Sequence, residues 1–336
     1  MRIAIVGAGA IGGYLGARLA SSGQQVTFIA RNRNLQALRE RGIRLVLEDG
    51  SEIASREVRA VEQMAEAGPQ DAVLLTVKAH QVGELLPQLR DLFDANTLLV
   101  TMINGVPWWY FQRHGGPHEG RTLHSVDPGG RIAAAIEPER IIGSVVYPAA
   151  ELLEPGVVRL IEGNRFSLGE LDGTRSPRIE ALAQALMQAG FKAPVSRDIR
   201  GEIWVKLLGN ATFNPLSALT HATLAQICGD GPMRSLVAQL MAEAQAVAAA
   251  LGVVMKVSIE QRIAGAQAVG EHKTSMLQDV EQGRAPELAA LLGAVVELGQ
   301  VAGVATPLLQ ALHSITALLA SRLAQTHGRL RIEPAG

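Results

Sequence analysis

Two sets of residues in this chain have types and spacings that could do chemistry. Lys206, Asn210 and Asn214 stand at i, i+4 and i+8 in the otherwise apolar stretch Trp-Val-Lys-Leu-Leu-Gly-Asn-Ala-Thr-Phe-Asn-Pro-Leu, residues 204–216. In a helix that spacing lines them along one face. Asparagine is a poor helix former, and burying a polar group costs roughly 1–3 kcal/mol unless it is paired. An ammonium and two carboxamides in one line therefore point to a polar ligand; the alternative is a polar seam satisfied by neighbouring backbone. The second set is Gly7-Ala8-Gly9-Ala10-Ile11-Gly12, a GxGxxG whose peptide N–H groups could hold a diphosphate.

The elements that must position the glycines are legible. Arg2-Ile3-Ala4-Ile5-Val6 is a short β-branched run of the kind found in buried parallel strands, and a helical pattern runs from Gly13 to Ser22. Gln25 to Ala30 makes the next strand. In that setting Gly7 makes the turn, Gly9 lets the backbone approach a pyrophosphate, and Gly12 lets helix and strand pack closely. The free N–H groups and positive dipole end of that helix favour the anion. Gly7, Gly9, Ala10, Ile11 and Gly12 are thus the candidate cofactor contacts. A secretory signal peptide is the competing reading, but Arg18 and the glycines interrupt the apolar core it needs. An NAD site would place an acid at the end of the second strand. Here the chain reads Ala30-Arg31-Asn32-Arg33, and the planar fork of Arg31 suits a 2′-phosphate, so NADP(H) is the expected cofactor.

Further strands are expected at 72–77 and 97–102, each followed by a candidate: Lys78 after the first, Asn104 after the second. Strands alternating with helices imply an α/β, doubly wound, Rossmann-like sheet whose ligands lie beyond the carboxyl ends of the strands. Residues 43–47 and 51–55 flank an Asp-Gly turn and read as a hairpin. Strand-like segments at 141–147, 156–161 and 165–168 are expected to extend the main sheet. Beyond Pro194 the pattern is helical, with the 3.6-residue period near 201–213, 232–251, 258–269, 286–303 and 307–323. The expected domains are 1–198, Rossmann-like and NADP-binding, and 199–325, all-α and bearing the substrate, with a tail at 326–336. Within the helical part, Ser275 with Gln278 fits a capping box, and Glu287 after Pro286 fits a first-turn acid.

Composition excludes several classes. The 31 basic and 32 acidic residues give a net charge of −1 with no sustained basic run, so no nucleic-acid footprint is present. A lone Cys228 rules out an internal disulfide and suggests a reducing, cytoplasmic setting. No long uncharged apolar window predicts a membrane span. Residues 113–140 read as an inserted loop. Its His114, His118 and His124 could be metal ligands but lack a scaffold, so no metal is expected. Trp108-Trp109-Tyr110-Phe111 could wall a bulky apolar substrate or simply pack in the core.

The chain resembles the ketopantoate reductases (2-dehydropantoate 2-reductases) over nearly its whole length. The resemblance rests on GAGAIGG, Val77-Lys78 with Gln81-Val82, Asn104-Gly105, Ile142-Gly143 through Gly169-Glu170, WVKLLGNATFNPLSAL, and Ser275-Met276-Leu277-Gln278-Asp279 followed by Glu287. It implies NADPH-dependent reduction of a 2-oxoacid ketone to the 2-hydroxy acid, 2-dehydropantoate to pantoate in pantothenate biosynthesis, or a bulkier analogue whose apolar tail Trp108 or Trp109 would face. By the same resemblance Lys206 is the general acid and Glu287 orients substrate or proton relay. Asn210, Asn214 and Ser275 hold substrate, Lys78 and Asn104 position the nicotinamide, and Arg31 takes the 2′-phosphate. Another two-domain dehydrogenase, acting on an opine or a sugar acid, is the rival reading. A non-catalytic NADP(H) sensor is another, although a sensor would not need the intact Lys206 site. The alanine-rich helical part offers faces for a homodimer.

Overall fold

The computed structural model describes residues 1–332; the last four residues of the expected tail lie outside them. The chain divides into two compact units. One comprises Met1–Thr122 and Gly130–Ile199, the other Leu123–Gly129 and the residues from Arg200 on.

The first unit is built on β1 (Arg2–Val6), α1 (Ala10–Ser21), β2 (Gln25–Ile29), α2 (Asn32–Arg41), β3 (Ile43–Val46), β4 (Glu52–Ser55), β5 (Arg59–Val61), α3 (Met64–Ala67), β6 (Ala72–Leu75), α4 (Val82–Leu89) and β7 (Leu98–Thr101). After α5 (Arg131–Ala135) come β8 (Ile141–Val146), β9 (Ala149–Glu154), β10 (Val157–Glu162), β11 (Phe166–Glu170) and α6 (Pro177–Gln188). Seven strands form one sheet in the order β11-β8-β7-β6-β1-β2-β5, parallel except for β11 against β8. From β1 the chain builds outward to β2 and β5, then returns to β6 on the other side. The carboxyl ends of β1 and β6 therefore flank the switch point, where such sheets bind ligands.

The segment at 156–161 does not extend this sheet. As β10 it joins a second, four-stranded sheet, β4-β3-β10-β9. Burial explains the difference. All six residues of β8 are buried, as a two-sided layer requires, whereas β10 buries Val157, Val158 and Leu160 and exposes Arg159, Ile161 and Glu162. The hairpin of β3 and β4 forms as its Asp-Gly turn predicts. Helix α1 lies between the two sheets. A Cβ on Gly12 would stand 2.0 Å from the Gly7 carbonyl oxygen, and one on Gly13 2.5 Å from Val158 Cγ2.

The second unit is helical: α7 (Ile199–Thr220), α8 (Leu224–Gly229), α9 (Gly231–Ala250), α10 (Ile259–Val269), α11 (Ser275–Glu281), α12 (Ala294–Ala302) and α13 (Pro307–Thr326). Helix α7 runs seven residues past its expected end at residue 213, straight through Pro215. Proline deletes the hydrogen bond to the Ala211 carbonyl, a cost of about 3 kcal/mol in a helix interior. Burial of Leu216, Ser217 and Ala218 holds the following turn in place. The single helix expected over 286–303 is instead a π-helical turn, Ala289–Gly293, leading into α12. The supposed loop at 113–140 contains α5, and its residues 123–129 belong to this helical unit. There the Glu297 carboxylate accepts from the N–H groups of His124 (2.7 Å) and Ser125 (2.8 Å) and from the Ser125 hydroxyl (2.6 Å). Glu243 of α9 likewise accepts from the first N–H groups of α13, at Leu308 and Leu309, both at 3.0 Å. Among the described residues no helix is long and apolar enough to cross a membrane.

The contact at Gly12 is against backbone and cannot be relieved by a side-chain rotation. Gly12→Ala is expected to destabilise the first unit by about 1–3 kcal/mol, the usual cost of overpacking. Thermal unfolding followed by circular dichroism checks this; a melting temperature equal to that of the native protein contradicts it.

Candidate active site

Each unit carries its own set of candidate residues. On the sheet, Gly7 leaves β1 with φ +103°, a conformation that favours glycine. Thr76, which follows β6, donates its hydroxyl to the carbonyls of Gly7 (2.6 Å) and Val6 (3.1 Å) and so fixes the turn. Gly9 is the N-cap of α1 with no side-chain cap, and a Cβ there would meet nothing within 4 Å. The peptide N–H groups of Ala10, Ile11 and Gly12 open the helix, where no carbonyl of the same helix can accept from them. An uncapped twelve-residue helix with open space over its first glycine fits a diphosphate.

A cavity of about 240 Å³ continues from Gly9 along the ends of β1 and β2 to Ala30 and Arg31. Arg31 is exposed and stands at the N-cap of α2. Asn34, also in the cavity lining, is committed to structure: its amide donates to the Ala8 carbonyl, and its Oδ1 accepts from the Gly156 N–H at 2.8 Å. The lining also includes Glu62, an acid that reading the second strand alone did not place there. Lys78 and Asn104 follow β6 and β7 and are half-buried, so both lie at the same carboxyl edge of the sheet as Gly7. The Lys78 N–H donates to Gln81 Oε1 at 3.1 Å, which sets the turn after β6.

On the helical unit, α7 carries Lys206, Asn210 and Asn214. Lys206 and Asn210 are half-buried and Asn214 is 5 % exposed. The backbone on that side of α7 is tightly covered: Arg262 of α10 puts its guanidinium where a Cβ on Gly209 would be, 2.4 Å from Nη2. Burial lowers the Lys206 pKa to about 8, against the opposing pull of the Glu287 carboxylate, which favours the charged form. Glu287 is half-buried and immediately precedes the helical turn that starts at Leu288, with its carbonyl accepting from the Leu291 N–H at 3.2 Å. Its helix-start position and its charge coupling to Lys206 therefore coexist.

Ser275 is not the cap of α11. Thr274 is, its hydroxyl accepting from the Leu277 N–H at 3.3 Å, and Gln278 donates to the Lys273 carbonyl. Two adjacent hydroxyl residues can both cap, and burial of Thr274 decided between them. Ser275 is left exposed in the first turn.

The aromatic run is core. Trp108 and Trp109 are 3 % and 0 % exposed, and Trp109 Nε1 donates to Thr101 Oγ1 at 3.0 Å while its ring lies against Gly143. The wall of tryptophan expected for a bulky substrate is therefore not presented. His114 and His118 pack their rings on Phe111, with centroids 5.4 Å apart in both cases. His124 lies on the segment held by Glu297. Among the described residues no group of three or more His, Cys, Asp or Glu is placed to hold a metal.

Residues 3–109 match the ketopantoate reductase PanE/ApbA family, and residues 198–320 match its C-terminal domain, Ketopantoate reductase PanE/ApbA C terminal. The 2-dehydropantoate 2-reductase of Mesorhizobium japonicum is 51% identical over 321 residues, covering 95% of this chain and 98% of that one. The chain belongs to the ketopantoate reductase family. As a family member it is an NADP-dependent oxidoreductase acting on CH–OH groups. The structure of 2-dehydropantoate 2-reductase from Geobacter metallireducens aligns with a TM-score of 0.84 at 30% identity, covering 95% of this chain and 99% of that one. A D-mandelate dehydrogenase solved with NADH and anilino(oxo)acetate aligns at 0.82 with 25% identity, covering 96% and 100%.

In this ketopantoate reductase family member, Glu287 raises the Lys206 pKa that burial lowers. Replacing the carboxylate by an amide removes the raising influence, so Glu287→Gln is expected to shift the Lys206 titration below about 8. Lysine side-chain NMR, with Lys206 assigned from Lys206→Ala, checks the direction. An unmoved or raised titration contradicts the coupling.

Proposed function

We propose that the protein reduces the ketone of 2-dehydropantoate to the 2-hydroxy acid with NADPH, and that Lys206 is its general acid. The observation that carries the reading is the half-buried Lys206 ammonium, poised near pH 8 by burial and held charged by Glu287. A catalytic acid works best with a pKa close to the working pH. When bound, NADPH supplies a hydride to the carbonyl carbon. As the carbonyl oxygen gains charge, the Lys206 ammonium stabilises it and donates the proton that completes the alcohol. The lysine is left neutral, and the Glu287 carboxylate favours its reprotonation from solvent. Asn210 and Asn214, one and two turns further along the same face, donate amide hydrogen bonds to the substrate's carboxylate and hydroxyl, with Ser275 as a further hydroxyl partner.

On the sheet, Gly7, Gly9, Ala10, Ile11 and Gly12 take the diphosphate, Arg31 takes the 2′-phosphate, and Lys78 and Asn104 orient the nicotinamide half. Burial of Trp108 and Trp109 supports 2-dehydropantoate over a bulkier 2-oxoacid, because no apolar surface is left on these rings for a larger tail.

NADPH oxidation measured against 2-dehydropantoate and against 2-oxoacids with larger apolar or aromatic substituents tests both parts. 2-Dehydropantoate is expected to have the highest kcat/KM. Lys206→Ala is expected to lower kcat by about 10²–10⁴-fold, as for a positioned acid, with NADPH binding retained. Near-native turnover in that variant makes Lys206 structural, and a larger 2-oxoacid ranking first refutes the substrate.

A further inference from the structure

Strand pairing brings a carboxylate close to the turn where Arg31 follows β2. β5 lies parallel to β2 with Val61 opposite Ile29, and the Ala30 N–H donates to the Val61 carbonyl at 3.0 Å. Continuing that register sets Glu62 level with Ala30, the residue before Arg31, at the same carboxyl edge of the sheet. Glu62 is exposed and lines two depressions: the cavity that runs from Gly9 to Arg31, and a second one walled by Asn32, Gln36 and Arg39 of α2. Its polar neighbours have structural partners. Asn34 joins Ala8 to Gly156, and Arg39 donates Nε to the Ala60 carbonyl at 3.0 Å. Of the charged side chains in the cavity lining, Glu84 belongs to α4, whereas Arg31 and Glu62 follow β2 and β5: a guanidinium and a carboxylate, the opposite solutions to one recognition problem. A carboxylate accepts the hydrogen bond of a ribose 2′-hydroxyl. It repels a 2′-phosphate, which carries roughly −1.5 to −2 charge at neutral pH, whereas arginine attracts it.

We propose that Glu62 is a cofactor-specificity residue that opposes Arg31. It accepts a hydrogen bond from the 2′-hydroxyl of NADH and repels the 2′-phosphate of NADPH, so the protein binds both dinucleotides. NADPH leads by less than Arg31 alone would give. This rests on the reading of Arg31 as the 2′-phosphate ligand, and the two can fail separately.

The test is equilibrium titration of the native protein, Glu62→Gln and Arg31→Ala with NADPH and with NADH, followed by quenching of tryptophan fluorescence. In Glu62→Gln the NADPH dissociation constant is expected to fall and the NADH constant to rise, each by about three- to tenfold, the worth of one hydrogen bond or one screened charge contact. Opposite movements cannot come from a damaged fold, which weakens both. An unchanged ratio, or equal loss of both cofactors, overturns the proposal. Loss of NADPH binding alone in Arg31→Ala supports the Arg31 reading whatever Glu62→Gln does. Equal effects on both cofactors in that variant remove the Arg31 reading and leave the NADH response of Glu62→Gln to stand or fall alone.

Discussion

An ammonium withdrawn from water is costly, and the helical unit is arranged around that cost at Lys206. Burial alone drives a lysine toward neutrality and would leave a weak acid in the wrong state. The Glu287 carboxylate restores part of the charge, and the balance comes to rest near pH 8. Neither group could do this from an isolated helix. Lys206 sits on the long α7, while Glu287 sits eighty-one positions later at a helix start, ahead of a π-helical turn. A π turn re-aims the residues around it and is frequent at functional positions. Two stretches far apart in sequence thus set the acidity of one nitrogen.

The sheet obeys a different constraint, that of backbone proximity. Its candidate ligand groups are peptide N–H donors, which depend on how closely chain can approach chain. Thr76, just after the strand beside β1, clamps the Gly7 carbonyl, and Gly12 has no room for a methyl group, so turn and helix are locked together. Asn34 ties the same turn to the second sheet through Gly156. At its rim the side chains of Arg31 and Glu62 are exposed.

Much of this was legible in the sequence because it is local. The GxGxxG between a strand and a helix, the two-sided burial of β1, β6 and β7, and the polar line on α7 are patterns within one element. What escaped was set by register and by packing between elements. Nothing near Glu62 in the chain places it beside Arg31; the pairing of β5 with β2 does. The apolar residues of β10 resemble those of a core strand, and only their one-sided burial assigns them to a separate sheet. Thr274 and Ser275 are chemically equivalent caps until packing buries one of them. Pro215 reads as a helix end, yet burial of the next turn outweighs the lost hydrogen bond. The tryptophans at 108 and 109 follow the carboxyl end of β7, but their large apolar area is taken by the core.

The central claim, that Lys206 acts as an acid with a pKa near 8, is tested most directly by the pH dependence of kcat in both directions. Ketone reduction needs the ammonium, so its kcat should be level at neutral pH and fall about tenfold per pH unit above roughly 8. Alcohol oxidation needs the neutral amine, so its kcat should rise through the same pH. A reduction rate that stays level from pH 6 to well above 9, or that rises with pH, would contradict the account.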